Sequence, residues 1–269
     1  MEVMHKGQNI VNSMTCNESL TKFYFENQKW FKDKECNSGN IAFLQREVFI
    51  SILNHDLKIP TLAQIRALEL LLEESEGHIN ESQKEIIDLT LTSCRYMYDM
   101  LSTLLYAYKY ENNDIILYFE NTDLLRLVEA CCAKCKKDLE NKNIRVVIRT
   151  KENLPGIPAD KLQVKKAFEN IIDYAISSAN ENTDIICDLK KCDGKISISI
   201  TFESPYVSSE KLNNMFNMYT SPAENLDKVG SALRLYLAKQ IIEAHNGNIF
   251  IQDNKTTGCI IELPCINKC

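Results

Sequence analysis

Ile87, Leu91, Cys94, Tyr98, Leu101, Leu105 and Tyr108 recur at alternating steps of four and three along the chain. A stripe of that period belongs to a long helix whose apolar seam faces another helix. The preceding run, from Ile41 to about Ser75, is helical in pattern as well, with Pro60 as its one interruption, and "EGHIN" makes a short turn between the two. Two long helices joined by a short turn form an antiparallel hairpin. A hairpin alone has one seam and little core, so a homodimeric four-helix bundle is its natural completion.

The texture changes after Glu111. "LLRLVEACCAKCKKDLENKN" is patterned as helix, "IRVVIRT" as strand, "NLPGIP" as turn and "DKLQVKKAFENIIDYAISSAN" as helix. "TDIICDLKKCDGKISISITF" gives two strands about an Asp193-Gly194 hairpin turn, followed by a loop, the helix "SALRLYLAKQIIEAHN" and the strands "GNIFIQD" and "GCIIELP". Alternating helices and hairpins indicate an α/β sandwich with helices on one face of a mixed sheet. The expected fold class is therefore α+β. Residues 1–40 form an irregular N-terminal segment, 41–111 the helical hairpin and 112–269 the sandwich domain.

A formal charge of -6 weighs against nucleic acid as a partner, because phosphate backbones select basic surfaces. No run approaches the apolar length of a bilayer span, and the first residues lack an apolar signal core, so the expectation is a cytoplasmic protein. Eleven cysteines are scattered and odd in number, which suits free, buried thiols better than a disulfide scaffold. "CCAKC" places Cys131 and Cys135 on one helical face, but no further ligands follow at zinc-site spacing, and no metal site is expected.

In "FISILNHDLKIPTLAQ" a histidine stands beside an aspartate within the first helical run. Counting about 100° per residue, Leu53, Leu57, Pro60, Ala67, Leu68 and Leu71 fall on the side opposite His55, which should be the bundle core. His55 then faces outward with Ile59 and Leu62. Asp56 can hold one imidazole nitrogen protonated and leave the other as a nucleophile. Pro60 removes a backbone hydrogen bond and loosens the turn above it. On residues alone, His55 is either a solvated structural histidine or a phosphoryl acceptor or general base.

"FISILNHDLKIPTL", "ADKLQVKKAFENIIDYAI", "KLNNMFNMY" and "VGSALRLYLAKQIIEAHNGNI" occur in that order. In that order and spacing the chain resembles the dimerisation and ATP-binding core of two-component sensor histidine kinases, over about residues 41 to 265. The resemblance puts His55, Asp56, Lys58 and Pro60 on the phosphoacceptor box, and Asp160 and Asn170 on the approach to the nucleotide. It implies a histidine-kinase ATPase fold, a phosphorylated His55, a homodimer, and response-regulator receiver domains as partners. Lys58, Ile59, Leu62 and Arg66 would form the receiver-docking face. Ile59 stands where many such kinases carry a threonine or asparagine that assists hydrolysis of the receiver's phosphate, and an aliphatic group cannot orient water.

The nucleotide motifs depart from the family pattern. Tyr174 occupies the place of the second asparagine, associated in the family with magnesium, and a phenol does not replace an amide oxygen around a hard cation. Phe202 falls at the aspartate that reads the adenine amino group, with Ser204 and Tyr206 at the glycines that follow. In the last glycine-rich element Gly230 is kept, while Ala232 and Arg234 replace the next two. Asn170, Gly230 and Arg234 remain as vestigial or weak nucleotide contacts. The expectation is accordingly a phosphotransferase of kinase descent, exchanging a phosphoryl group between His55 and receiver aspartates with no firmly bound cofactor. The alternatives are an authentic ATP- and magnesium-dependent kinase and a non-catalytic docking partner of a kinase or receiver.

Overall fold

The computed structural model describes residues 50, 56–74, 77–112, 114–150, 153–204, 216, 229–253 and 257–265. Residues 1–40, Leu53, His55 and Tyr206 lie outside the described residues. The chain divides into two compact units between Leu57 and Lys58. Asp56 and Leu57, at the end of the first unit, lie in a π-type turn and are exposed. The elements below all belong to the second.

Helices α1 (Lys58–Leu72) and α2 (Glu81–Glu111) form the expected hairpin. Pro60 is the third residue of α1, which directly follows the π-type turn at Asp56 and Leu57. A capping box starts α2: the Asn80 side chain accepts from the Gln83 N–H at 2.9 Å, and the Asn80 N–H donates to the Gln83 side chain at 2.9 Å. The stripe on α2 faces inward along its whole length, with Leu91, Leu105 and Tyr108 buried and Ile87, Cys94, Tyr98 and Leu101 half-buried. Arg95 on α2 donates to Glu69 on α1 at 2.8 Å.

The expected core side of α1 needs correction. Thr61 is its one buried residue, Pro60 and Leu68 are half-buried, and Leu57, Ala67 and Leu71 are exposed. Angular counting finds an apolar side correctly. It does not tell whether a neighbour in the same chain covers that side, and within one chain α1 packs on α2.

The rest of the chain runs β1 (Glu120–Thr122), α3 (Leu124–Lys134), α4 (Lys136–Asn141), β2 (Arg145–Thr150), β3 (Ile157–Ala159), α5 (Lys161–Ser178), β4 (Asp184–Cys192), β5 (Lys195–Phe202), α6 (Val229–Ala244), β6 (Asn248–Asp253) and β7 (Thr257–Pro264). The main sheet has the order β2-β4-β5-β7-β6. Its β2–β4 pair is parallel and the others are antiparallel. Asp193 and Gly194 both take positive φ, 45° and 77°, which is the primed turn a tight hairpin requires. Ile185, Cys187 and Leu189 on β4, Ile196, Ile198 and Ile200 on β5, and Cys259, Ile261 and Leu263 on β7 alternate into the core. Phe168, Ile171 and Ile172 of α5 and Leu237, Ile241 and Ile242 of α6 fill it from the helical side. A helical segment is thus followed by a mixed sheet sandwich.

Two local expectations fail. "NLPGIP" contributes strand β3, which pairs antiparallel with β1; three-residue strands carry no readable period. The expected single helix after Asp123 breaks at Cys135, whose N–H donates to the Cys132 carbonyl at 3.1 Å in a tighter turn. Cys131, Cys132 and Cys135 are buried free thiols, and burial pushes Cys131 and Cys135 up to about 12.

Asp160 caps α5 by accepting from the Leu162 and Gln163 N–H groups at 3.1 Å each, and its other oxygen accepts from the Tyr118 N–H at 3.0 Å. Its own N–H donates to His245 Nε2 at 3.0 Å, so His245 carries its proton on Nδ1 and donates to the Ile241 carbonyl at 2.7 Å. A second proton on the ring would set N–H against N–H. Burial lowers the His245 pKa from its ordinary 6.5, against the carbonyl bond and the Asp160 charge, which raise it. Because the folded value is the lower one, the stability due to neutral His245 is complete above pH ~6.5 and declines as pH falls below it. Urea midpoints measured between pH 8 and pH 5 are expected to drop on the acid side, and His245→Gln should flatten that limb.

Candidate functional site

Asn170 is the polar exception on a face of α5 that otherwise buries Val164, Ala167, Phe168, Ile171, Ile172, Ala175 and Ile176. A buried amide must find a partner. Its Nδ2 donates to the Arg234 carbonyl of α6 at 3.1 Å, which ties the two helices together. Beside it a cavity of about 560 Å³ opens between α2, α3, α5 and α6. Asp99 lines it from α2, Lys134 from α3, Leu162, Lys165, Lys166, Glu169, Asn170 and Asp173 from α5, and Arg234 from α6.

The charges around the cavity are paired. Arg234 bonds Asp99 through one guanidinium nitrogen, and the other lies 3.7 Å from Asp173. Lys134 and Lys165 share Glu169, at 3.1 and 4.0 Å. Lys166 places its ammonium 3.7 Å from the centroid of the Tyr106 ring on α2, and burial lowers its pKa. Burial raises the Asp173 carboxyl, opposed by a hydrogen bond from Cys135 and by Arg234. Four cations against three carboxylates leave the cavity lining with an excess of positive charge.

Among the other residues singled out from sequence, Phe202 ends β5 at 3% exposure, with its ring edge-on to Tyr174 at 6.2 Å between centroids. Ser204 hydrogen-bonds Thr257 through the hydroxyls at 2.7 Å. Gly230 and Ala232 lie within the first turn of α6. On the hairpin, Ile59 and Leu62 are 44% and 43% exposed, and Lys58 approaches the Tyr98 ring at 5.2 Å. Arg66 reaches Glu69 and Glu73 at 3.5 and 3.4 Å, in exposed ion pairs that contribute little to stability. Asn170 and Arg234 come together, while the described Lys58, Ile59, Leu62 and Arg66 are not among the residues lining the cavity. Asp99, Lys134, Lys165, Lys166, Glu169 and Asp173 were not foreseen. Lys166 and Asp173 stand one helical turn either side of Asn170 and were within reach of a helical-face argument; Asp99, far away in sequence, carried no signal.

Residues 159–267 match the family of histidine kinase-, DNA gyrase B- and HSP90-like ATPases. This part of the chain is a histidine kinase-like ATPase domain. The chain is also homologous to sensor histidine kinase catalytic cores. It is 25% identical over 225 residues to the adaptive-response sensory kinase SasA of Crocosphaera subtropica, a match covering 82% of this chain and 58% of the relative. The fold is shared with full-length ShkA, solved in complex with AMPPNP, at a TM-score of 0.69 and 17% identity over 80% of this chain and 45% of that one. It is shared too with the histidine kinase ThkA in its complex with the response regulator protein TrrA, at 0.57 and 17% over 87% and 68%. The chain thus spans little more than half the length of the curated relative.

These findings correct the expectation of a phosphotransferase without ATP chemistry. The proteins that match over most of the chain are sensory and histidine kinases, and their likeness runs through the half that carries Tyr174, Phe202 and Arg234. Among the described residues, no helix is long and apolar enough to cross a membrane.

ATP and its divalent ion are the ligands the domain family implies. The phosphate end fits: Asn170, Lys166 and Arg234 converge on one cavity wall. At the base end, Phe202 presents no acceptor for an exocyclic amine. A site that hydrogen-bonds a ligand group rejects the analogue lacking it by orders of magnitude, and a site without that group does not. Calorimetric titration with ATP and GTP is accordingly expected to give affinities within about tenfold of each other.

Proposed function

We propose that this chain is the kinase core of a two-component sensor histidine kinase, phosphorylated on His55 and read by the receiver domain of a response regulator. The cavity carries this reading: Lys166 and Arg234 line it beside Asn170, and such cations suit a phosphate-bearing ligand. Bound ATP would supply the phosphoryl group, with Asn170, Lys166 and Arg234 toward its phosphates. His55 accepts at one ring nitrogen, and the adjacent Asp56 holds the other protonated. Incubation with γ-labelled ATP and magnesium is expected to give an acid-labile, alkali-stable label that His55→Ala removes. Absence of label at millimolar nucleotide would refute the proposal.

Ile59, Leu62 and Arg66, spaced as one face of α1 and exposed, supply an apolar platform with a charged edge for the receiver. The co-crystallised response regulator of ThkA supports such a partner. Leu62→Glu should raise the receiver concentration at half-maximal transfer several-fold while leaving the maximal rate unchanged; a reduced maximum with the same half-saturation point would place docking elsewhere.

The division at residues 111 and 112 and the homodimer are part of the same proposal. Ile86, Leu89 and Met97 on α2 and Leu71 on α1 are exposed, and a second hairpin would cover them. Leu89→Glu, at a side chain 73% exposed in one chain, should leave monomer stability nearly unchanged and abolish a dimer seen by light scattering.

A further inference from the structure

Arg234 stands where the resemblance places a glycine facing phosphates, yet its guanidinium is bonded to Asp99 on the hairpin helix α2. Lys166, a second cation lining the cavity with Asn170, is held over Tyr106, also on α2. Two further contacts join the ATPase domain to α2 without using a cation: Tyr236 donates to Glu111 at 2.5 Å and Tyr110 donates to Gln163 at 2.9 Å. The hairpin is therefore docked by two kinds of contact, and only one kind uses groups that a phosphate would want.

We propose that Arg234 and Lys166 form a charge latch, in which α2 and the phosphate tail of a nucleotide compete for the same two cations. This rests on the nucleotide reading above. A triphosphate brings several negative charges and many acceptor oxygens to the guanidinium, whereas Asp99 brings one half-exposed carboxylate. The tail outcompetes Asp99, and the segment of α2 from about residue 95 to 106 loosens while Tyr236 and Tyr110 keep the domain tethered. Linkage makes the coupling reciprocal: whatever weakens the Arg234–Asp99 pair must raise nucleotide affinity by the factor that nucleotide weakens the pair. Arg234 is thus a positioning residue whose side chain reports occupancy of the cavity to the hairpin.

The test uses the full chain and MgATP as the probe. Asp99→Asn keeps the shape of a half-exposed side chain and removes its charge, so the fold should be retained, with a near-unchanged circular dichroism spectrum as the check. Its MgATP affinity should rise about two- to fivefold, the range expected for losing one exposed ion pair. In the unsubstituted protein, MgATP should speed amide hydrogen exchange across residues 95–106 and leave the β4–β5 hairpin unchanged. Binding by Asp99→Asn alone supports the latch in its strongest form. Equal affinities for the two proteins with unchanged exchange in α2 overturn the latch and leave the nucleotide reading standing. Failure of both proteins to bind MgATP overturns both.

Discussion

The bond between the Asp160 N–H and a neutral His245 fixes the frame on which the site is built. Asp160 uses one carboxylate oxygen on the start of α5, the other on the segment before β1, and its N–H on the end of α6. Three pieces of chain distant from one another in sequence are thereby pinned at one buried point. With both helices held there, the amide of Asn170, farther along α5, arrives opposite the Arg234 carbonyl of α6. The cavity exists because the two helices are held at that separation while α2 and α3 close its sides.

That frame explains why substituted motif positions do not by themselves abolish a binding surface. Phe202 and Tyr174 pack edge-on at one end and join the apolar core. The other end keeps its polar amide and gains a guanidinium in place of a glycine. A pocket losing a carboxylate at one end and acquiring a cation at the other changes what part of a ligand it grips. On the nucleotide reading proposed above, a weakened base contact and a kept charge would make the phosphates the natural handle.

Much of the fold was legible because strong periodicity leaves few options. The four-three stripe on α2 predicted a face that is buried or half-buried throughout, and Asp193-Gly194 predicted a hairpin turn whose two residues take positive φ. What sequence could not show depends on neighbours. Leu71 is apolar yet exposed, whereas Thr61 is polar yet buried on a helix that packs against α2. In the site, Asn170 and Arg234 were legible as motif positions. Their partner Asp99 was not, since an ion pair between two distant helices leaves no spacing to find.

The β5–β7 pairing, which runs from Lys195↔Pro264 to Phe202↔Thr257, has a kinetic meaning. It closes the whole stretch from residue 203 to residue 256, including α6, whereas the α1–α2 hairpin closes over a short turn. Local contacts tend to form before distant ones, so the α1–α2 hairpin is expected to form ahead of the sheet. Because loop-closure entropy grows only logarithmically, lengthening the stretch between β5 and α6 hardly penalises the sheet: each doubling costs about 0.6 kcal/mol. Sheet closure is therefore less sensitive to the length of chain between its strands than their separation in sequence suggests.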